Sequence, residues 1–291
     1  MTRAPSPQRN SEPDGGIMKT ILVTGATDGI GLETARQLFE KGHKVFIHGR
    51  SEVKAREAIG KIMAVASPAA HKNVDHLVTV HGDLSDMIQV VDLANQMKNL
   101  SPSLDVLINN AGVYMTQKVL TKDHFEMTFA VNHLAVFLLT HHLVPTLKVA
   151  ADARVVTVSS MAHLGAHLDF DNLQSEKSFD GYKAYATSKL ANILFTRAFA
   201  ALNKHTNISA NCLHPGVIST KLLHAGFTMK GDTVSKGAET SVYLADSLDV
   251  ETVTGKYFVN RHEAVPSRAA QDDASAVKLW KKSEDLLQKY L

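Results

Sequence analysis

The residues with the clearest chemical potential are Tyr185 and Lys189, in the run Tyr185-Ala186-Thr187-Ser188-Lys189. Four apart on a helix, a phenol and an ammonium share one face and can point into one pocket. A free phenol, with a pKa of about 10, is a poor base at neutral pH. A neighbouring ammonium favours the phenolate and brings proton exchange toward working pH. An ordinary surface pair would show the same spacing, so the company these residues keep is decisive. The run Val155-Val156-Thr157-Val158 ends in Ser159-Ser160, whose hydroxyls could hydrogen-bond an oxygen on which charge develops. Upstream, Thr24-Gly25-Ala26-Thr27-Asp28-Gly29-Ile30-Gly31 is a glycine-rich loop of the kind that lets backbone N–H groups approach a pyrophosphate. A dinucleotide loop, a proton carrier and hydroxyls that could bind an oxygen together point to proton-transfer chemistry beside a bound dinucleotide.

Such groups need a scaffold that brings them to one place. From Met18 onward, short β-branched apolar runs alternate with longer amphipathic segments, the pattern of repeated βαβ units. Strands are predicted over Thr20–Thr24, Lys44–His48, His76–His81, Val106–Asn109, Arg154–Ser159, Ile208–His214 and Lys256–Val259. Helices are predicted over Gly31–Glu40, Glu52–Ala64, Met87–Lys98, Asp123–Leu143, Ala184–Leu202, Ser235–Leu248 and Ala274–Tyr290. The fold class is therefore α/β: a doubly wound, parallel, seven-stranded sheet with helices on both faces, the Rossmann fold. Every motif above falls at the carboxyl end of a strand, where such sheets bind ligands. No repeat or linker divides residues 18–291, which read as a single domain. Residues 1–17 are polar, lack the apolar centre of a secretory signal, and read as a disordered tail.

The glycine spacing is Gly-x-x-x-Gly-x-Gly, and no Lys-Ser/Thr pair follows Gly31, which removes a P-loop reading. The second strand ends at His48-Gly49-Arg50. Enzymes that choose NAD usually present a carboxylate there to the ribose 2′-hydroxyl, whereas a guanidinium suits a 2′-phosphate. NADP(H) is expected ahead of NAD(H), the alternative being that Arg50 simply opens the next helix. The third strand leads into Gly82-Asp83-Leu84, where Asp83 could also be a helix cap, and the fourth into Asn109-Asn110-Ala111-Gly112. Asn132 interrupts the apolar run Phe129–Leu134 and, if buried, needs partners as a kink or core residue. Pro215-Gly216, after the sixth strand, marks a turn.

Taken in order from about Lys19 to Val259, these motifs resemble the short-chain dehydrogenase/reductase family. Val131-Asn132-His133-Leu134, Asp171-Asn172-Leu173-Gln174-Ser175-Glu176-Lys177 and Ser188-Lys189-Leu190-Ala191-Asn192 resemble its retinol-dehydrogenase-like branch. The resemblance implies a catalytic tetrad of Asn132, Ser160, Tyr185 and Lys189, with Ser160 rather than Ser159 on the substrate oxygen. Asn132 would hold a water linking Lys189 to solvent. Implied cofactor contacts are Gly25, Thr27, Asp28, Gly29, Ile30 and Gly31 in the loop, Arg50, Asp83 at the adenine with Leu84, and Asn109, Asn110, Ala111 and Gly112. Tyr185 and Lys189 contribute again, followed by Pro215, Gly216, Val217, Ile218 and Thr220 around the nicotinamide. Asp28 stands where some NADP-specific relatives carry a basic residue. The resemblance also implies a substrate loop over about 219–235. Its Leu223, Phe227 and Met229 favour a small hydrophobic carbonyl or alcohol, although helix packing would use the same residues. The segment Leu164–Asp180, longer than the shortest family members need, would help to wall the pocket. Many members of the branch carry a membrane anchor, and none is expected from this sequence.

Composition narrows the alternatives. With 31 basic and 29 acidic residues and a net charge of +2, no electrostatic footprint for nucleic acid or an anionic membrane appears. The longest apolar run, Phe129–Leu139, is broken by Asn132 and His133, so no membrane span is expected and the protein reads as cytoplasmic. The lone Cys212 lies in an apolar strand and is expected in the core. The fifteen histidines show no metal-ligand spacing, and no metal is expected. Ser160 lacks the Gly-x-Ser-x-Gly elbow of a hydrolase. Two rival readings stand: a regulatory protein that senses NADP(H) without turnover, and a nucleotide-sugar epimerase or dehydratase that uses the same tyrosine and lysine. The oligomeric state is not legible.

Overall fold

β-Branched and aromatic residues concentrate in seven short runs, and in the computed structural model, which describes residues 17–226 and 230–291, these runs and one further short strand pair into one sheet. The strands are β1 (Thr20–Val23), β2 (Lys44–Gly49), β3 (Leu77–His81), β4 (Val106–Asn109), β5 (Ala153–Val158), β6 (Ile208–His214), β7 (Tyr257–Val259) and β8 (His262–Ala264). Their spatial order is β3-β2-β1-β4-β5-β6-β7-β8. All neighbours are parallel except β7 and β8. The chain reverses its direction of winding between β1 and β4, which opens a crevice at their carboxyl ends.

Helices fill both faces: α1 (Gly29–Glu40), α2 (Glu52–Met63), α3 (Met87–Leu100), α4 (Met127–Phe129), α5 (Ala135–Leu147), α6 (Gly181–Leu202), α7 (Lys221–Gly226), α8 (Val234–Asp246) and α9 (Asp273–Leu287). Side chains alternate across each strand, so Ile21 and Val23 join the core beneath α1 and α8 while Leu22 joins the core beneath α3, α5, α6 and α9. Most longer helices begin at a side-chain cap that accepts a backbone N–H: Asp28, Ser51, Asp86, Asp180, Thr233 and Asp272. Cys212 is buried in β6, and its thiol is pushed up to about 12 by burial.

Two expectations need correction. The sheet has eight strands rather than seven: β8 follows β7 after Asn260-Arg261, both with positive φ, and runs antiparallel. Its sequence, His262-Glu263-Ala264, carries no apolar run that could announce a strand. The predicted helix Asp123–Leu143 instead spans Met127–Leu147, because the Glu126 carboxylate accepts the N–H groups of Thr128 and Phe129 and fixes the start there. Within it, Ala130–Leu134 forms one π-helical turn. This segment is long and apolar enough to cross a membrane by length and composition, but 78% of its apolar window is buried inside the protein. The tail predicted over residues 1–17 lies outside the described residues except for Ile17, which is exposed.

α9 docks on α5 and α6 through an aromatic cluster. The Trp280 ring lies 4.7 Å from Phe137 and stacks on Phe195 at 5.9 Å. Phe137 is fully buried at the centre of these contacts. Phe137→Ala is expected to cost about 3–5 kcal/mol, read as a lower urea midpoint at unchanged denaturant slope.

Candidate active site

The glycine loop is shaped by close approach. Gly25 and Gly29 sit at φ +64° and +55°, which side-chain-bearing residues rarely adopt. A Cβ on Gly31 would collide with the Gly25 carbonyl and with Asn110 Nδ2, so α1 can start directly against the loop only with glycine there. Asn110 Nδ2 donates to the Thr24 carbonyl at 2.8 Å, and the N–H groups of Asn110 and Ala111 donate to Thr24 Oγ1. The loop after β4 is thus stitched to the loop after β1. His48, buried at the end of β2, completes the floor. Its Nδ1 accepts the Gly25 N–H at 3.0 Å and its Nε2 donates to the Gly82 carbonyl at 3.0 Å. A neutral ring with its proton on Nε2 is the one form that makes both bonds.

At the other end of the crevice, α6 brings Tyr185 and Lys189 beside the end of β5. Ser160, two residues past the end of β5, hydrogen-bonds the Tyr185 side chain. Lys189 Nζ lies 5.5 Å from the Tyr185 ring centre and donates to the Val158 carbonyl at 3.1 Å. Ser159 also borders the crevice, but its hydroxyl is committed elsewhere, donating to the buried Lys189 carbonyl at 2.7 Å. Burial pulls Lys189 down to about 8. The same burial pushes Tyr185 up to about 12, against a smaller lowering by Ser160. Loss of water sets the direction of both shifts in the protein without a bound cofactor.

Asn132 is fully buried on the π-helical turn. Its Oδ1 accepts the Val113 N–H at 2.8 Å, and its Nδ2 donates to the Val113 carbonyl at 3.0 Å and to Ser188 Oγ at 2.9 Å. Ser188 in turn donates to the Tyr185 carbonyl at 2.7 Å. Asn132 therefore braces the wall behind the crevice instead of opening onto it. It approaches Lys189 across Gly112, where an added Cβ would lie 3.4 Å from both Asn132 Oδ1 and Lys189 Nζ.

A single crevice of about 1490 Å³ runs along the carboxyl ends of the strands. It takes in Gly25, Thr27, Asp28, Gly29, Ile30, Gly31, Arg50, Asp83, Leu84, Asn110, Ala111 and Gly112, then Ser160, Tyr185, Lys189, Pro215, Gly216, Val217, Ile218 and Thr220. Asn109 is the exception among the expected cofactor contacts: its side chain turns into the core and donates to Thr140 Oγ1 at 3.1 Å. Asp83 is not the cap of α3, a task that falls to Asp86; its carboxylate accepts from Ser85 N and Oγ. Asp28 caps α1 and pairs with Lys221 of α7, an ion pair that joins the glycine loop to the segment beyond Thr220. Beyond Tyr185 the wall is formed by Met161, Leu164, Tyr182, Leu222 and Leu223. Of the Leu164–Asp180 segment only its first two residues reach the crevice, and Phe227 and Met229 of the expected substrate loop lie outside the described residues. Sequence reasoning gave no role to His48 or Ser188. A histidine directly before the Gly49-Arg50 pair and a serine one helical turn from Tyr185 were the only signals available.

The short chain dehydrogenase profile matches residues 19–230. The chain belongs to the short-chain dehydrogenase family. Within that family it is 39% identical to human retinol dehydrogenase 14 over 293 residues, covering 93% of this chain and 87% of the relative. It is also 39% identical to mouse retinol dehydrogenase 12, over 92% of this chain and 86% of that one. Among solved structures, an uncharacterized protein from Mycobacterium paratuberculosis superposes with a TM-score of 0.77 at 30% identity, covering 94% and 95% of the two chains. A short chain dehydrogenase from Salmonella enterica superposes with a TM-score of 0.67 at 25% identity, covering 84% and 96%. As a short-chain dehydrogenase the chain is an oxidoreductase acting on alcohol or carbonyl groups and binding a nicotinamide cofactor. The glycine cradle fits a dinucleotide: without a Cβ at Gly31 the first turn of α1 stands directly against the loop after β1, where a helix amino terminus suits a phosphate.

Two outcomes follow from this geometry. Gly31→Ala should abolish measurable dinucleotide binding in a fluorescence titration while the protein remains folded by circular dichroism. The second concerns acid stability. Burial depresses His48 to about 4 and His133 to about 3, against about 6.5 in the unfolded chain. Above pH 6.5 neither state is protonated and their contribution is complete; as pH falls toward 4 the unfolded chain takes up protons that the native state refuses. Unfolding free energy should therefore decline below pH 6.5, each histidine adding a slope of about 1.4 kcal/mol per pH unit. His48→Gln should flatten that decline in urea titrations.

Proposed function

We propose that this protein is an NADP(H)-dependent reductase and dehydrogenase of small hydrophobic carbonyl and alcohol substrates, with Tyr185 as general acid and base. The observation that carries this reading is the hydrogen bond between Ser160 and Tyr185, with Lys189 beside the same ring, in the crevice that begins at the glycine loop. When bound, the nicotinamide supplies or accepts the hydride at the substrate carbon. Ser160 holds the substrate oxygen, and Tyr185 delivers its phenolic proton to that oxygen or withdraws it in the reverse direction. A phenol pushed up to about 12 keeps its proton at neutral pH, the form from which a general acid starts. Withdrawing a proton instead would use the cationic oxidised ring to lower the same phenol.

Arg50 supports the cofactor choice. It is exposed at the end of β2 and lines the crevice where a carboxylate would otherwise receive the ribose 2′-hydroxyl. The apolar wall of Met161, Leu164, Leu222 and Leu223 supports a substrate that buries hydrocarbon beside its reacting oxygen. The relatives' naming as retinol dehydrogenases places retinal and other apolar aldehydes first in a substrate panel.

The test is NADPH consumption by the purified protein across apolar aldehydes, ketones and quinones. Tyr185→Phe should keep dinucleotide affinity and lose about a thousandfold in kcat. A fully active variant would refute the assignment. Arg50→Ala should raise KM for NADPH roughly ten- to a hundredfold and leave KM for NADH unchanged. Wild-type preference for NADH would overturn the Arg50 reading.

A further inference from the structure

We propose that His163 is a positioning residue that aims Ser160 by tying its backbone to the C-terminal segment at Ser267; this inference rests on the proposed role of Ser160 in hydride transfer. His163 lies two residues beyond the end of the Ser160-Met161 pair, on a 3-10 turn over Met161–Gly165 whose cap is Ser160. It is fully buried. Its Nδ1 is 2.7 Å from the Ser160 carbonyl oxygen, and its Nε2 is 3.1 Å from the backbone nitrogen of Ser267. The Tyr257 ring packs edge-on against it at 5.1 Å.

These partners fix the chemistry of the ring. A carbonyl oxygen only accepts and a backbone N–H only donates, so Nδ1 must carry the proton and Nε2 must be bare. Neutral His163 in that tautomer makes both bonds, and burial holds its pKa below the ordinary value. The Ser160 carbonyl also accepts the His163 N–H at 3.2 Å, while Ser160 Oγ accepts the Ala162 N–H at 3.2 Å. The serine that bonds Tyr185 is therefore held on both sides of its own Cα by a turn that His163 closes.

The other end of the tether is equally anchored. Ser267 caps the 3-10 turn Arg268–Gln271, which leads directly into α9. α9 makes a second contact of the same kind. His133, next to Asn132 on the π-helical turn, has Nε2 2.8 Å from Ser283 Oγ. Ser283 Oγ donates to the Leu279 carbonyl, so it accepts from His133. The segment from Ser267 to Ser283 thus braces both elements flanking Tyr185, each through a buried neutral histidine.

Two substitutions separate aiming from mere folding. In His163→Asn the amide Nδ2 falls near the position of Nδ1 and can still donate to Ser160, but the bond to Ser267 is lost. In His163→Gln the amide oxygen falls near Nε2 and can still accept from Ser267, but Ser160 loses its donor. With an aldehyde substrate and NADPH, His163→Gln is expected to lose roughly ten- to a hundredfold in kcat at unchanged KM for either ligand, and to keep its thermal midpoint. His163→Asn is expected to melt lower yet retain roughly a third or more of kcat. If kcat follows the melting temperature across both variants, or if His163→Gln turns over normally, the proposal is overturned. Nitrogen–proton correlation spectra of the imidazoles give a readout independent of turnover. The signal absent from the His163 variants should report an Nδ1–H tautomer, and an Nε2–H or doubly protonated ring would sink the tether itself. A wild-type protein that turns over no carbonyl while showing that tautomer would count against the hydride-transfer reading and leave the tether standing.

Discussion

Three hydrogen bonds between α6 and the end of β5 hold the rest of the site in place. Lys189 Nζ and Asn192 Nδ2 both donate to the Val158 carbonyl, and Ser159 Oγ donates back to the Lys189 carbonyl. Together they lock the helix that carries Tyr185 onto the strand that leads to Ser160. A buried ammonium would be costly without such partners, and Lys189 keeps one at the bottom of the pocket. Its price is visible in the downward pull on Lys189 and the upward push on Tyr185, both caused by loss of water.

The two ends of the crevice rely on different physics. The glycine-loop end is built from absence of bulk: glycines at positive φ, a helix start that tolerates no Cβ, and backbone groups stitched by Asn110 and His48. The end at Tyr185 is built from desolvation and a few directed bonds. Asn132, Ser188 and Tyr185 form a chain that runs from the loop after β4 to the first turns of α6. The π-helical turn allows this chain, since the extra residue per turn lets Asn132 face Val113 while Phe129 and Phe137 remain in the core.

Much of this was legible in the sequence because it depends on local pattern. The first seven strands announce themselves as β-branched runs, and the glycine loop, Asn110-Ala111-Gly112 and Tyr185 with Lys189 fall at their ends as expected. What was not legible depends on partners far along the chain. Asn109 looks like its neighbour Asn110 in sequence, yet strand alternation turns it toward Thr140 instead of the crevice. Ser159 and Ser160 are equally polar, and only the position of the Lys189 carbonyl consigns one of them to the core. The sign of the Tyr185 shift could not be read from spacing, because it is set by how much water the whole crevice excludes. β8 was invisible because a three-residue strand beside a two-residue turn needs no hydrophobic pattern to form.

That final hairpin also decides how the sheet ends. A long, flat, apolar border would offer its unpaired backbone to any similar chain it met. Here the border is three residues of His262, Glu263 and Ala264, twisted back at once by Asn260 and Arg261, with Glu263 engaged by Lys256. A second copy arriving from that side finds too short a template and a salt-bridged rim, so growth by strand addition is discouraged where the parallel ladder would otherwise have continued.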